Sequence, residues 1–244
     1  MKIAFLGTPD FVQPIKENLA KNFILVNSFK EADLAVVAAY GHILTKEELN
    51  QPRYGCINIH PSLLPKYRGP SPIQTAILNG DKTTGVTIIK MDEKMDHGPI
   101  LYQESLELSG KDNSQTLSNK LFQAANEVLP QIIEDFVKGK TTPKEQNHTD
   151  ASFCERLIKE SGYFEISNPP RLLSPDGEAN GGQASSEILD RMIRAYYPWP
   201  GVWTRWNGKI VKFLPGGLVQ MEGKKVLSKK DFLNGYPNFP TVSF

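Results

Sequence analysis

The chain predicts an α/β fold, an open and mostly parallel sheet followed by a small β-rich C-terminal module, and three observations carry that expectation. Short runs of continuous apolar and β-branched residues recur through the first part of the chain, the pattern of strands covered on both faces. One stretch around residue 125 repeats its apolar positions every three or four residues, as a long amphipathic helix does. Beyond Trp203 the apolar runs are short and separated by Asn207-Gly208, Gly216-Gly217 and Glu222-Gly223, the punctuation of small antiparallel strands.

Taken in order, KIAFL at 2–6 is a strand ending at Gly7, and a helix containing Pro14 follows to about Ala20. Residues 23–26 and 34–39 form two further buried strands. The first turn, GTPDF, lacks the G-x-G-x-x-G pattern that brings backbone up to a pyrophosphate, which disfavours a nicotinamide or flavin dinucleotide. CINIH at 56–60 is a strand, the Pro- and Gly-rich PSLLPKYRGPSP a loop, and a helix then runs through about Asn79. Residues 85–90 alternate as a strand, MDEKMDHG is a loop, and a strand extends from Pro99 to about Leu106. The helix with Leu117, Leu121, Ala125, Leu129, Ile133 and Phe136 on its apolar side is capped by Asn113 or Ser114 and ends near Gly139. NPPRLLSPDGEANGGQ has no periodicity and reads as a linker or surface loop, after which SSEILDRMIRAYY is a Ser-capped helix. The domain expectation is therefore an α/β domain at 1–167, a linker or inserted loop at 168–186, and a small β-rich C-terminal domain at 187–244.

The 244 residues are 39% hydrophobic and 23% charged, an ordinary balance for a chain that buries a core. No apolar run is long enough to span a membrane, and the opening MKIAFLGTPDF lacks the apolar stretch and cleavage site of a secretory signal, so a cytoplasmic location is expected. Cys56 and Cys154 are too few for a disulfide framework, and neither they nor His42, His97 and His148 show metal-ligand spacing. Ordinary thiols and no metal are expected. From Arg191 onward nine basic residues face Glu222 and Asp231, a net charge of +7 on a body of −6. Such a tail suits a polyanionic partner, because neutralising phosphates releases counterions, and it equally suits a plain solvated surface.

On a strand, positions i and i+2 share a face, so Asn58 and His60 project together just before Pro61. An amide that donates to a developing oxyanion and an imidazole that works near neutral pH make a catalytic pair, which Asp96 in the loop after the next strand would complete. On spacing alone the trio is a weak signal, because a structural role is the commoner fate of a strand histidine.

The surrounding residues add a resemblance. INIHPSLLPKYRGPSPIQTAILNGDKTTGVTIIKMDEKMDHGPIL closely resembles the signature region of the folate-dependent formyltransferase family: Asn58-x-His60, the SLLP loop, Tyr67-Arg68-Gly69, TGVT at 84–87, and Asp96 followed by Gly98 match in order. GTPDF, VVAAYGHIL at 36–44, PIQ at 72–74 and IRAYYPWPG at 193–201 are similar to the branch of the family that formylates initiator methionyl-tRNA. The resemblance implies a Rossmann-like catalytic sheet and formyl transfer from 10-formyltetrahydrofolate to an amine, at the start of translation. It implies that Asn58 hydrogen-bonds the formyl oxygen, that His60 stabilises the tetrahedral oxyanion, and that Asp96 assists proton removal and orients His60. By the same resemblance the folate lies against Tyr40, Gly41, His42, Ile43 and Leu44 and against the loop bearing Asp92 and Met95. Phe11, Ser62, Leu63, Leu64, Pro65 and Arg68 are expected on the substrate side.

The chain departs from the family's pattern in three places. Some tens of residues that the family carries between its first helix and the VVAAYG strand are absent, RLLSPDGEANGGQ is inserted, and His97 stands where Thr is usual. A shortened form leaves two alternatives open, a formyltransferase acting on another amine such as a nucleotide-linked amino sugar, or a non-catalytic folate- or RNA-binding module. Salt separates the acceptors, since tRNA binding weakens steeply as ionic strength rises.

Overall fold

The computed structural model describes residues 1–166 and 183–240. These fall into two compact units: residues 1–73, 82–108 and 117–156 form the first, and residues 74–81, 109–116 and the chain from Leu157 onward form the second. The stretch expected as a linker at 168–186 lies outside the described residues as far as residue 182, and a helix begins at Gln183.

The first unit is built on a six-stranded sheet of β1 (Lys2–Leu6), β2 (Ile24–Val26), β3 (Leu34–Ala38), β4 (Cys56–His60), β5 (Thr83–Lys90) and β6 (Ile100–Glu107), in the order β2-β1-β3-β4-β5-β6. The first four strands run parallel, while β5 is antiparallel to β4 and to β6. The open, mostly parallel sheet read from the apolar runs is therefore present, with a β5–β6 hairpin as its far edge. All five residues of β3 are buried, which is why that strand reads as a continuous run with no polar alternation. Ile3, Leu34, Ile57 and Ile88 are fully buried, each stabilising the fold by about 1.5–3 kcal/mol.

Helix α1 (Gln13–Asn22) carries Pro14 in its first turn, where the missing N–H costs no hydrogen bond. Helix α2 (Lys46–Asn50) is one the apolar pattern does not announce; Thr45 and Glu48 cap each other's backbone N–H groups around it. Helix α3 spans Pro72–Asn79 and helix α4 spans Ser114–Val137, with Asn113 Oδ1 accepting from Thr116 N at 2.9 Å as its cap. Leu117, Leu121, Ala125, Leu129 and Ile133 are all fully buried along one face of α4. Cys56, packed under α2, is a buried thiol pushed up to about 12, by burial first and by the Glu48 carboxylate second.

The second unit contains α5 (Gln183–Tyr196), a four-stranded antiparallel sheet of β7 (Val202–Trp206), β8 (Lys209–Leu214), β9 (Leu218–Met221) and β10 (Val226–Ser228), and α6 (Lys229–Gly235). Asn207 and Gly208 both take positive φ, 47° and 75°, at the β7–β8 hairpin that their dipeptide predicts. Phe213, Phe232 and Phe239 form the apolar centre of this unit, and Trp206 packs edge-on against Phe239 at 5.2 Å. Trp206, half-buried, is thereby tied to this cluster through its ring. Two of the nine basic residues counted from Arg191 onward face carboxylates just upstream, Arg191 pairing with Glu187 and Arg194 with Asp190 at 2.8 Å. Among the described residues no helix is long and apolar enough to cross a membrane.

Candidate active site

Asn58, His60 and Asp96 meet in the first unit. Asn58 and His60 project from one face of β4 as the i, i+2 spacing requires, and Asp96 reaches them from the loop joining β5 and β6. Asn58 Nδ2 donates to Asp96 Oδ1 at 3.3 Å, and His60 Nδ1 lies 3.5 Å from the same oxygen. The other carboxylate oxygen accepts from Gly69 N at 2.8 Å. His60 is 4% exposed, and its Nε2 lies 3.0 Å from the carbonyl of Tyr67. A carbonyl accepts only, so Nε2 carries the proton and Nδ1 is the nitrogen turned to Asp96.

Backbone geometry sets these positions. Asp96 has φ of 49°, the left-handed region that an aspartate tolerates better than most residues but at a cost of about 1–3 kcal/mol. Two residues on, a Cβ on Gly98 would collide with the carbonyl of Lys90, so only glycine lets the loop close onto β5. The loop after β4 is strapped down by chain lying beyond α4. Arg68 N donates to Ser152 O at 2.9 Å, Cys154 N to Arg68 O at 2.8 Å, and Tyr67 N to Ser152 Oγ at 2.9 Å. Upstream, Ile100 and Lys144 exchange backbone bonds of 2.7 and 2.8 Å, tying the same segment to β6.

The residues expected around the folate differ in exposure. Ile43 is 81% and Met95 50% exposed, and Gly41 and His42 are also exposed, with Tyr40 and His42 rings 5.1 Å apart. Leu44 is buried with Ala4, Ala35, Val37 and Cys56, so its side chain belongs to the core. Asp92 Oδ2 lies 2.6 Å from His97 Nδ1. On the expected substrate side, Phe11 packs against Phe122 at 5.1 Å, Ser62 spends its hydroxyl on Lys66 O at 2.6 Å, and Leu64 is buried. Leu63 and Pro65 are half-buried in the same loop. Arg68 is turned inward and 4% exposed, its guanidinium donating to Gln146 and to His148.

Gln146 and His148 are the members of this neighbourhood that sequence reasoning missed. They lie in PKEQNHTD, a polar stretch with no apolar period to place it. His148 stacks on His97 with centroids 4.0 Å apart and planes 6° from parallel, and its Nδ1 accepts from Arg68 Nη2 at 2.9 Å. Its pKa is lowered from the usual imidazole value, by desolvation first and then by the neighbouring His97 and Arg68 charges. Among the described residues no group of three His, Cys, Asp or Glu is arranged to hold a metal ion.

An amide donor, an imidazole and a carboxylate converging on the end of a sheet strand define a site suited to acyl-type transfer. A family model described as formyl transferase matches residues 12–133, and one described as formyl transferase, C-terminal domain, matches residues 183–218. The chain belongs to the formyl transferase family. It is 36% identical over 244 residues to the methionyl-tRNA formyltransferase of Thermodesulfovibrio yellowstonii, covering 88% of this chain and 74% of that one. It is 40% identical over 187 residues to the methionyl-tRNA formyltransferase of a Roseiflexus species, covering 77% of this chain and 53% of that one. The chain thus spans about three-quarters of one of these relatives and about half of the other. Among solved structures, HypX from Aquifex aeolicus in complex with tetrahydrofolic acid shares the fold, with a TM-score of 0.71 at 16% identity over 98% of this chain and 48% of that one.

Proposed function

We propose that the chain transfers the formyl group of 10-formyltetrahydrofolate to the amino group of initiator methionyl-tRNA, and so acts at the start of translation. The observation that carries this reading is the meeting of Asn58, His60 and Asp96 in a chain of this family whose relatives are methionyl-tRNA formyltransferases. The neutral amine attacks the formyl carbon, a carbon–nitrogen bond forms, and the carbonyl oxygen becomes an oxyanion. One amide hydrogen of Asn58 points at Asp96 Oδ1, and the second is the donor for that oxyanion. Asp96 takes the proton the amine sheds and passes it across 3.5 Å to His60 Nδ1, whose other nitrogen already bears a proton held by Tyr67 O. His60 is then an imidazolium beside the oxyanion, and it returns the proton to the folate nitrogen as the old carbon–nitrogen bond breaks. Tyr40, Gly41, His42, Ile43, Asp92 and Met95 border the folate, with Leu44 offering only its backbone because its side chain lies in the core, and Phe11 and the Ser62–Pro65 turn border the acceptor.

Exposed Arg205 and Lys212 lie on the outer face of the C-terminal sheet beside Trp203, whose half-buried ring packs on Tyr163 at 4.8 Å, a basic surface suited to RNA phosphates. The test is formylation of charged initiator methionyl-tRNA with 10-formyltetrahydrofolate at two salt concentrations, with Asn58→Ala as the control. Expected is product whose KM for tRNA rises with salt and which falls about a hundredfold in the variant. Absence of product with tRNA, together with salt-insensitive product from an amino-sugar nucleotide, would replace tRNA by a small amine.

A further inference from the structure

Gln146 is 5% exposed and makes four hydrogen bonds, which fix both ends of its amide. Its Oε1 accepts from Arg68 Nε at 3.2 Å and Nη2 at 2.6 Å, and its Nε2 donates to Asp96 O at 2.9 Å and Gly98 O at 2.8 Å. The reverse orientation would set the amide NH2 against the guanidinium and the amide oxygen against two carbonyls, so Arg68 dictates which way the donors face. Arg68 is itself buried, with its backbone bridged on both sides to Ser152 and Cys154. The two carbonyls that Gln146 grips flank the turn in which Asp96 sits at φ of 49°. A residue held in that region persists only where its surroundings over-determine it.

We propose that Gln146, oriented by Arg68, is a positioning residue that holds Asp96 in its left-handed conformation and so aims its carboxylate at Asn58 and His60. The catalytic meaning of that aim rests on the formyl transfer reading; the clamp itself rests on the four hydrogen bonds. Gln146 touches none of the reacting atoms, and it acts on turnover through Asp96, where a displacement of about 1 Å is enough to slow a reaction a hundredfold.

The experiment replaces Gln146 by glutamate, which keeps the length of the side chain, gives Arg68 a carboxylate partner and removes both donors to the Asp96 turn. Two readouts are taken, steady-state kinetics and deuterium exchange at the Gly69 amide, whose acceptor is Asp96 Oδ2. Expected for Gln146→Glu are a turnover lower by at least about tenfold, KM values within about threefold of the parent, and Gly69 exchange at least about tenfold faster. Gln146→Met, which is apolar and of similar length, carries the same expectations and serves if the glutamate variant does not fold. A folded variant of either kind with unchanged Gly69 exchange overturns the clamp. A parent that forms no formylated product overturns the functional reading instead, and the exchange measurement still decides the clamp.

Discussion

Replacing the Asp96 carboxylate by an amide of the same shape separates its charge from its place in the fold. In the parent, Oδ2 accepts from Gly69 N at 2.8 Å and Oδ1 from Asn58 Nδ2 at 3.3 Å, with His60 Nδ1 at 3.5 Å. Asparagine has one carbonyl oxygen, so in Asp96→Asn either the Gly69 N–H or the Asn58 amide loses its acceptor. A single unsatisfied donor in a part-buried site costs about 1–3 kcal/mol. For a chain of this size each kcal/mol lowers the melting temperature by about 2–4 °C. The chemical cost is larger. In the proposed mechanism the variant has no group to take the proton from the amine, and loss of a general base slows turnover by about a hundredfold to ten-thousandfold, or about 2.7–5.4 kcal/mol of barrier. The assay is formyl transfer to charged initiator methionyl-tRNA at saturating substrates, run beside thermal melting. Asp96→Asn should melt a few degrees below the parent and lose at least about a hundredfold in turnover. Turnover within about threefold of the parent would refute the assignment of Asp96 as the proton acceptor.

Other consequences of the structure are open to measurement. Leu129→Ala empties a fully buried position on α4 and should cost about 2–5 kcal/mol in chemical denaturation, with the KM values of the folded enzyme unchanged. Cys56 is held protonated up to about 12 in the folded state against 9.0 ordinarily, so the folded protein keeps a proton that the unfolded chain has released across that window. Stability should therefore fall as pH rises from 9.0 towards about 12, and Cys56→Ala should flatten that slope in denaturation curves. His148 has the opposite sense: its lowered pKa means that the unfolded chain takes up a proton first as pH falls below 6.5, which draws the equilibrium away from the folded state. His148→Gln, which still offers Arg68 an acceptor, should show a shallower loss of melting temperature on acidification; an unchanged acid limb would exclude this contribution.

Sheet strands and the long helix were legible because burial imposes a period on the residues that suffer it. LAVVA at β3 reads as a buried parallel strand from composition alone, and the Leu117–Ile133 stripe gives α4 before any coordinate is known. Asn58 and His60 were legible as a pair because alternation on a strand is a local rule. Asp96 could be nominated from its loop after the next strand, but only the family resemblance favoured it, since no local rule says where a loop carboxylate turns. The antiparallel sense of β5 escaped for a related reason, because a strand covered on both faces looks alike in either direction. Helix α2 was missed although its Thr45-x-x-Glu48 box stands in the sequence, and α6 although Ser228 and Asp231 make a cap, both helices being too short to show an apolar period. Gln146 had no signal: its importance comes from three residues distant in sequence, Arg68, Asp96 and Gly98, that meet only in the folded chain.

The strap formed by residues 144–154 bears on how the enzyme comes into being. All three of the trio are synthesised by residue 96, and the N-terminal family match ends at residue 133, yet the loops that present the trio take their partners from Lys144, Gln146, Ser152 and Cys154. A nascent chain that has reached only α4 contains Asn58, His60, Asp96 and all six strands of the sheet, but the turn bearing Asp96 lacks Gln146 and the loop bearing Tyr67 lacks Ser152. Both contacts arrive with a polar segment that bridges to Ile100 of β6 and to the loop at Tyr67 and Arg68. The contacts that hold the two site loops therefore extend past the matched family region, to Gln146, Ser152 and Cys154.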